Sequence, residues 1–183
     1  MRLLFSNDDN LNSLFKLIIR NKKNHNPNNN VFKIYKEYTI LKFKKILEKN
    51  NYSTEIFSKT IKLIKTTFGK VNLYHLFNLD ELIIFYFYFI NRKKFKKACD
   101  IGANIGLHSI LLNKFGYKVV SYEPDSIHQK LANKNFKLNK SKVILKNEAV
   151  GNFDGKIQFT RIENNTTASF IGSHKKTTGK TYK

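Results

Sequence analysis

Several residue types are scarce in this 183-residue chain, and each scarcity excludes a class of protein. Cys99 is the only cysteine, so the chain cannot form an internal disulfide or a cysteine-based zinc site. We expect Cys99 to be a small core residue in a buried strand, and we predict no metal site. The longest apolar run, 82–90, has nine residues, whereas a membrane-spanning helix needs about 20.

The N-terminus lacks the long apolar stretch of a signal peptide, because 3–5 is short and the acids Asp8 and Asp9 follow. Hydrophobic residues make up 41% of the chain, which is enough to build a core. We therefore expect a folded, soluble, cytoplasmic protein with no membrane partner.

Acidic residues are also scarce, and the net charge of +21 raises the possibility of a nucleic-acid partner. However, the chain has 30 lysines and only 4 arginines, although nucleic-acid recognition favours arginine. Asparagine is abundant and tryptophan absent, which is typical of coding bias in an AT-rich genome. The charge is spread: 20 basic and 7 acidic residues precede residue 98, and 14 basic and 6 acidic residues follow. We interpret it as a solvated surface and keep nucleic acid as an alternative partner.

The first part of the chain has helical spacing of its apolar residues. The pattern predicts helices over 11–19, 31–49 and 54–68, the last closed by Gly69, and a mostly apolar helix over 81–91. We therefore predict a helical N-terminal region, 1–75.

The remainder alternates between strand and helix. Predicted strands cover 97–101, 118–122 and 142–146, and predicted helices cover 106–115 and 126–139, with Ser126 as N-cap of the second. This order predicts an α/β fold with a Rossmann-like doubly wound parallel sheet, incomplete at about three strands, over 76–183.

The turn after the first of these strands carries the strongest chemical signal. Gly102, Asn104 and Gly106 give the spacing G-x-N-x-G, not the G-x-G-x-x-G of dinucleotide-binding folds. Asp100 ends the strand, where a carboxylate would repel a pyrophosphate but attract the cationic end of S-adenosylmethionine. Glu123, at the end of the next strand, is placed to accept from both ribose hydroxyls. This contact suits NAD and S-adenosylmethionine alike.

These motifs resemble the FkbM-type methyltransferases. The similarity lies in Asp-Ile-Gly-Ala-Asn-Ile-Gly at 100–106 and Tyr-Glu-Pro-Asp at 122–125, continues through Asn135 and 147–151, and covers roughly 80–171. The resemblance implies an S-adenosylmethionine-dependent methyltransferase that methylates a hydroxyl on a sugar or other small molecule. The alternatives are a nucleic-acid methyltransferase and a catalytically inactive fragment that binds only cofactor or a partner.

The resemblance also implies roles for individual residues. Asp100, Gly102, Asn104 and Gly106 would line the methionine and ribose part of the cofactor, and Glu123 would hold the ribose. Glu148, after the third strand, would lie near the adenine, although it is equally compatible with a solvated loop.

No catalytic residue is identified. His108 could be a general base, but we favour a packed or surface role, and His128 and His174 have no partner at a recognisable spacing.

The predicted sheet is short for this kind of enzyme. A methyltransferase sheet normally has about seven strands, with the fourth beside the first, so we expect the strand over 97–101 to expose an unpaired edge that could drive self-association. We expect a fragment, a decayed gene product or a half that needs a partner.

Overall fold

The structure is a computed structural model, in which the chain forms two compact units. One unit comprises 1–63 and 73–95, and the other comprises 64–72 and 96–183. The residues that the structure describes are 9–20, 25–68, 71–152, 154–155, 159–162, 169–171 and 181–182. Gly69 and His174 lie outside them. Among the described helices, none is both long and apolar enough to cross a membrane. The predicted domains, 1–75 and 76–183, stay a prediction.

The described part of the first unit contains three α-helices, a β-hairpin and a 3-10 helix. Its elements are α1 (Asp9–Arg20), α2 (Asn30–Lys49), β1 (Ser53–Ile56), β2 (Lys59–Lys62), the 3-10 helix (Leu73–Phe77) and α3 (Leu79–Asn91). Aromatic side chains fill its core: the Phe43 and Phe77 rings stack at 5.0 Å, and Phe15 packs edge-on against Tyr86 at 5.7 Å. The helices predicted over 11–19, 31–49 and 81–91 are therefore confirmed.

The helix predicted over 54–68 is wrong, because this segment forms the β1–β2 hairpin instead. Its two-residue turn is Phe57-Ser58, and both residues have positive φ, 48° and 63°. A two-residue hairpin turn with this geometry usually carries Asn-Gly or Asp-Gly, so the sequence gives no turn signal here. The Phe57 ring is buried and stacks on Phe89 at 5.3 Å, so tertiary packing stabilises the unusual turn.

The second unit contains the predicted parallel sheet. Its strands, in the order β5-β6-β7, are β5 (Lys97–Ile101), β6 (Lys118–Tyr122) and β7 (Val143–Lys146). The helices between them are α4 (Leu107–Lys114) and α5 (Ser126–Asn139). The α/β class with three parallel strands is confirmed. The unit also holds a hairpin and an antiparallel sheet, formed by β3 (Thr67–Phe68), β4 (Val71–Asn72), β8 (Phe159–Ile162), β9 (Ser169–Ile171) and β10 (Thr181–Tyr182).

One face of the parallel sheet is covered and the other is open. Val119 and Ser121 of β6 are buried on the covered face, whereas Ile101 and Ile144 on the opposite face are each 62% exposed. Cys99 shares that open face and is exposed, so its predicted burial is wrong. The prediction assumed a strand covered on both sides, as parallel strands usually are. Within the described residues β5 pairs with β6 alone, and the exposed edge stays a prediction.

The N-cap of helix α5 lies one residue earlier than predicted, and the helix itself begins at Ser126. Asp125, not Ser126, is the N-cap: its Oδ1 accepts from Ile127 N at 2.8 Å and from His128 N at 3.3 Å. Aspartate and serine are both good caps, so residue type could not decide between adjacent positions. The cap directs α5 back along the sheet from the end of β6.

Candidate functional site

The glycine turn is anchored to β6 by backbone hydrogen bonds. Gly102 N and Ala103 N both donate to Tyr122 O, at 2.9 and 3.0 Å. The turn needs three residues with positive φ: Gly102 at 78°, Asn104 at 52° and Gly106 at 83°. Asparagine tolerates this conformation better than most residues, and glycine adopts it without steric cost. The G-x-N-x-G pattern therefore matches the backbone that the turn adopts.

Glu123 connects the turns after β5 and β6. Its Oε2 accepts from Asn104 N at 2.7 Å, and its Oε1 accepts from Asp125 N at 2.8 Å. The residue is only 5% exposed. The carboxylate thus accepts hydrogen bonds from two backbone N–H groups and links the two turns. The sequence did not predict this role. A carboxylate has about four acceptor positions, so these two bonds leave acceptor capacity.

Two buried serines form a chain of hydrogen bonds that ends at Asp100. Ser109 Oγ of α4 donates to Asp100 Oδ2, and Ser109 Oγ lies 2.7 Å from Ser121 Oγ. Both serines are fully buried. Because Ser109 has one hydroxyl proton and gives it to Asp100, Ser121 must donate to Ser109. This chain of hydrogen bonds fixes the Asp100 carboxylate at the end of β5 before any ligand arrives.

His128 lies beside the carboxylates of Glu123 and Asp125. Its Nδ1 is 3.9 Å from both Glu123 Oε1 and Asp125 Oδ2, and its side chain is 4% exposed. Sequence reasoning found no partner for His128, although its position three residues after an N-cap aspartate was the available signal. At 3.9 Å the imidazole nitrogen lies close to both carboxylates but beyond hydrogen-bonding distance of either.

Asn135 of α5 is hydrogen-bonded to the glycine turn through its side-chain amide. Its Nδ2 donates to Ile105 O at 2.9 Å, and its Oδ1 accepts from Ile64 N at 2.9 Å, with the residue 1% exposed. Both backbone groups would otherwise be buried without a partner here, so a polar residue is required at this position of α5. Asn135 belongs to the sequence resemblance, but its supporting role was not predicted.

Glu148 is placed apart from the other predicted residues. It lies two residues beyond β7, at the sheet edge where Glu123 N donates to Lys146 O at 3.1 Å. Its side chain is 58% exposed and its Oε2 is 3.9 Å from Lys146 Nζ. Gly102, Asn104 and Gly106 thus lie in one turn, with Asp100 just before it and Glu123 hydrogen-bonded to it through Asn104 N. Glu148 lies outside this group.

The backbone at Gly102 is exposed and open. A Cβ built on Gly102 meets no atom of the described chain within 4 Å, so the space beside this backbone is open. Asp100 and Glu123 place two carboxylates at the ends of neighbouring strands, the edge at which α/β sheets bind ligands. A molecule with a cationic end and a sugar bearing hydroxyls fits this combination, because carboxylates attract the first and accept from the second.

Comparison with known proteins gives limited similarity. No protein-family model matches the chain, and no curated protein matches it. Among solved structures, one match is the Pyrococcus abyssi tRNA (uracil-54, C5)-methyltransferase in complex with S-adenosyl-L-homocysteine, with 15% identity, a TM-score of 0.38, and coverage of 51% of this chain and 22% of that one. Another is a Pyrococcus horikoshii protein provisionally named a transferase, with 18% identity, a TM-score of 0.37, and coverage of 62% and 48%.

The chain thus spans less than half the length of either structure. At these TM-scores neither match supports an argument about function. The α/β class follows from the order of β5, β6 and β7 and from their parallel register.

Proposed function

We propose that this chain binds S-adenosylmethionine and belongs to a methyltransferase. The observation that supports this most is the placement of Asp100, held by Ser109, at the carboxyl end of β5 just before the G-x-N-x-G turn, with Glu123 hydrogen-bonded to that turn from the end of β6. A pyrophosphate at the turn would meet the Asp100 carboxylate, which is unfavourable, whereas a sulfonium and an amino group would be attracted.

The proposed contacts follow from the positions of the residues. Asp100 attracts the positive end of the cofactor, and the open backbone at Gly102 lets it approach closely. Glu123 accepts from the ribose hydroxyls with the acceptor capacity that its two backbone bonds leave. Glu148, on the rim beyond β7, accepts from the adenine amino group. The chemistry that the cofactor supplies is a methyl group on a cationic sulfur.

For the acceptor, we propose a hydroxyl on a sugar or other small molecule. Its support is the sequence resemblance, which is specific in the two motifs at 100–106 and 122–125. A nucleic-acid acceptor and a fragment that binds without catalysis are the alternatives. We assign no catalytic residue: His108 is half-buried in the first turn of α4, and its role as a base stays a hypothesis.

The choice of cofactor is tested by calorimetric titration. We expect S-adenosylmethionine and S-adenosylhomocysteine to bind and NADH not to bind, because Asp100 repels a pyrophosphate. Adenosine serves as a control, since it shares the ribose contact but lacks the cationic end. NADH binding more tightly than S-adenosylhomocysteine would show that the proposal is wrong.

Close approach of the ligand to Gly102 is tested with Gly102→Ala. The added methyl meets no atom of the described chain within 4 Å, and at φ +78° it strains the backbone as it does at Gly116. Overpacking against the proposed ligand costs about 1–3 kcal/mol, so we expect affinity for S-adenosylhomocysteine to fall roughly fivefold or more. Gly116→Ala is the matched control, since Gly116 has φ +98° and is also open, but follows α4 at the opposite end of the sheet. Equal affinity of the two variants would exclude contact at Gly102.

A further inference from the structure

The outward side of α5 carries positive charge only. Lys130, Lys134 and Lys137 are exposed and spaced at i, i+4 and i+7, so they form one stripe along the helix, which we call the lysine ridge. It is about 10 Å long at the rise of an α-helix. Lys140 and Lys142, both exposed, continue beyond the end of α5. The 22 residues from 126 to 147 contain six lysines and no acid.

The ridge is not neutralised within the described part of the chain. None of the described ion pairs involves its three lysines. Like charges three and four residues apart on a helix repel and destabilise it. A bound polyanion would remove that repulsion, and release of its condensed counterions would drive the association.

We propose that the lysine ridge binds the phosphate backbone of a nucleic acid. Lysine is a point charge that contacts phosphates without the planar fork with which arginine reads guanine, and α5 contains no arginine. The contact therefore fixes position and carries no base sequence. This surface lies on the opposite side of α5 from its buried Ala132 and Phe136, and it does not depend on the proposed cofactor site.

The same geometry disfavours a membrane surface. A helix that lies in a lipid interface needs a continuous free apolar face. The apolar face of α5 is buried within its own unit, and its exposed apolar residues, Ile127 and Leu138, lie about three turns apart. Insertion into lipid would have little apolar area to bury, whereas phosphate contacts need only the exposed ammonium groups.

The test measures binding of labelled oligouridylate and oligothymidylate as a function of salt. The triple variant Lys130→Gln/Lys134→Gln/Lys137→Gln should weaken binding at least tenfold at low salt. It should also flatten the slope of log affinity against log salt by about 2, since each contacted phosphate contributes about 0.7 for a single strand. The matched control is Lys33→Gln/Lys45→Gln/Lys49→Gln, which removes the same charge from exposed positions of α2.

The outcomes separate the possibilities. A loss confined to the α5 variant, with unchanged circular dichroism, supports the proposal, and a preference between the two oligonucleotides identifies RNA or DNA as the partner. Equal losses in both triple variants would mean that net charge alone binds, and absence of oligonucleotide binding would also overturn it. So would binding of the native chain to phosphatidylserine vesicles but not to oligonucleotides.

Discussion

Glu123→Gln is expected to lower affinity for S-adenosylhomocysteine at least tenfold and to destabilise the fold. The amide keeps one acceptor oxygen but turns an NH₂ group toward either Asn104 N or Asp125 N, where a buried donor then loses its partner. Such a loss costs about 1–3 kcal/mol. Removal of the charge also weakens the proposed hydrogen bonds to the ribose, and a tenfold loss corresponds to about 1.4 kcal/mol.

The measurements are calorimetric titration and chemical unfolding of the ligand-free variant. Glu48→Gln provides the matched control, because Glu48 is exposed on α2 and its replacement should change neither quantity. A reduced unfolding free energy with an unchanged dissociation constant would mean that Glu123 only connects the two turns. The ribose contact would then be excluded.

Gly106→Ala is expected to cost about 2–5 kcal/mol of unfolding free energy. Gly106 has φ +83°, where a side chain is strained by about 1–2 kcal/mol. In addition, its Cβ would lie 2.4 Å from Phe136 Cε1 and 2.8 Å from Cζ, and overpacking of this kind costs about 1–3 kcal/mol. The whole stability of a domain is about 5–15 kcal/mol, so this single methyl would remove a large part of it.

Two companion variants isolate the clash. Gly116→Ala introduces the backbone strain without a contact within 4 Å, so it should lose less stability. Phe136→Leu in combination with Gly106→Ala should recover part of the loss, because the clash is with the far end of the ring. Thermal and denaturant unfolding of the native chain, Gly106→Ala, Phe136→Leu and the double variant measure the coupling. Additive effects of Gly106→Ala and Phe136→Leu would contradict contact between α4 and α5 at this point.

The glycine turn shows how much of a candidate site the sequence can predict. The glycines at 102 and 106, directly after a predicted strand, predict the turn from local sequence. The positive φ that Asn104 shares with both glycines is a finding of the structure. Glu123 was placed at the same edge because consecutive parallel strands end there. Its two backbone bonds were beyond prediction, since they depend on how closely the turns after β5 and β6 approach.

Over 97–146 the sequence by itself determined the order of strands and helices, because apolar periodicity and the glycines between the elements are local properties. It also determined which carboxylates stand at the strand ends. Tertiary structure alone decided the rest. Phe57-Ser58 turns a hairpin without a turn signal, because burial of the Phe57 ring stabilises it. Cys99 is exposed because one face of the sheet is open, and His128 meets Glu123 because the Asp125 cap directs α5 there. These features arise only when the elements pack together, so local sequence patterns do not predict them.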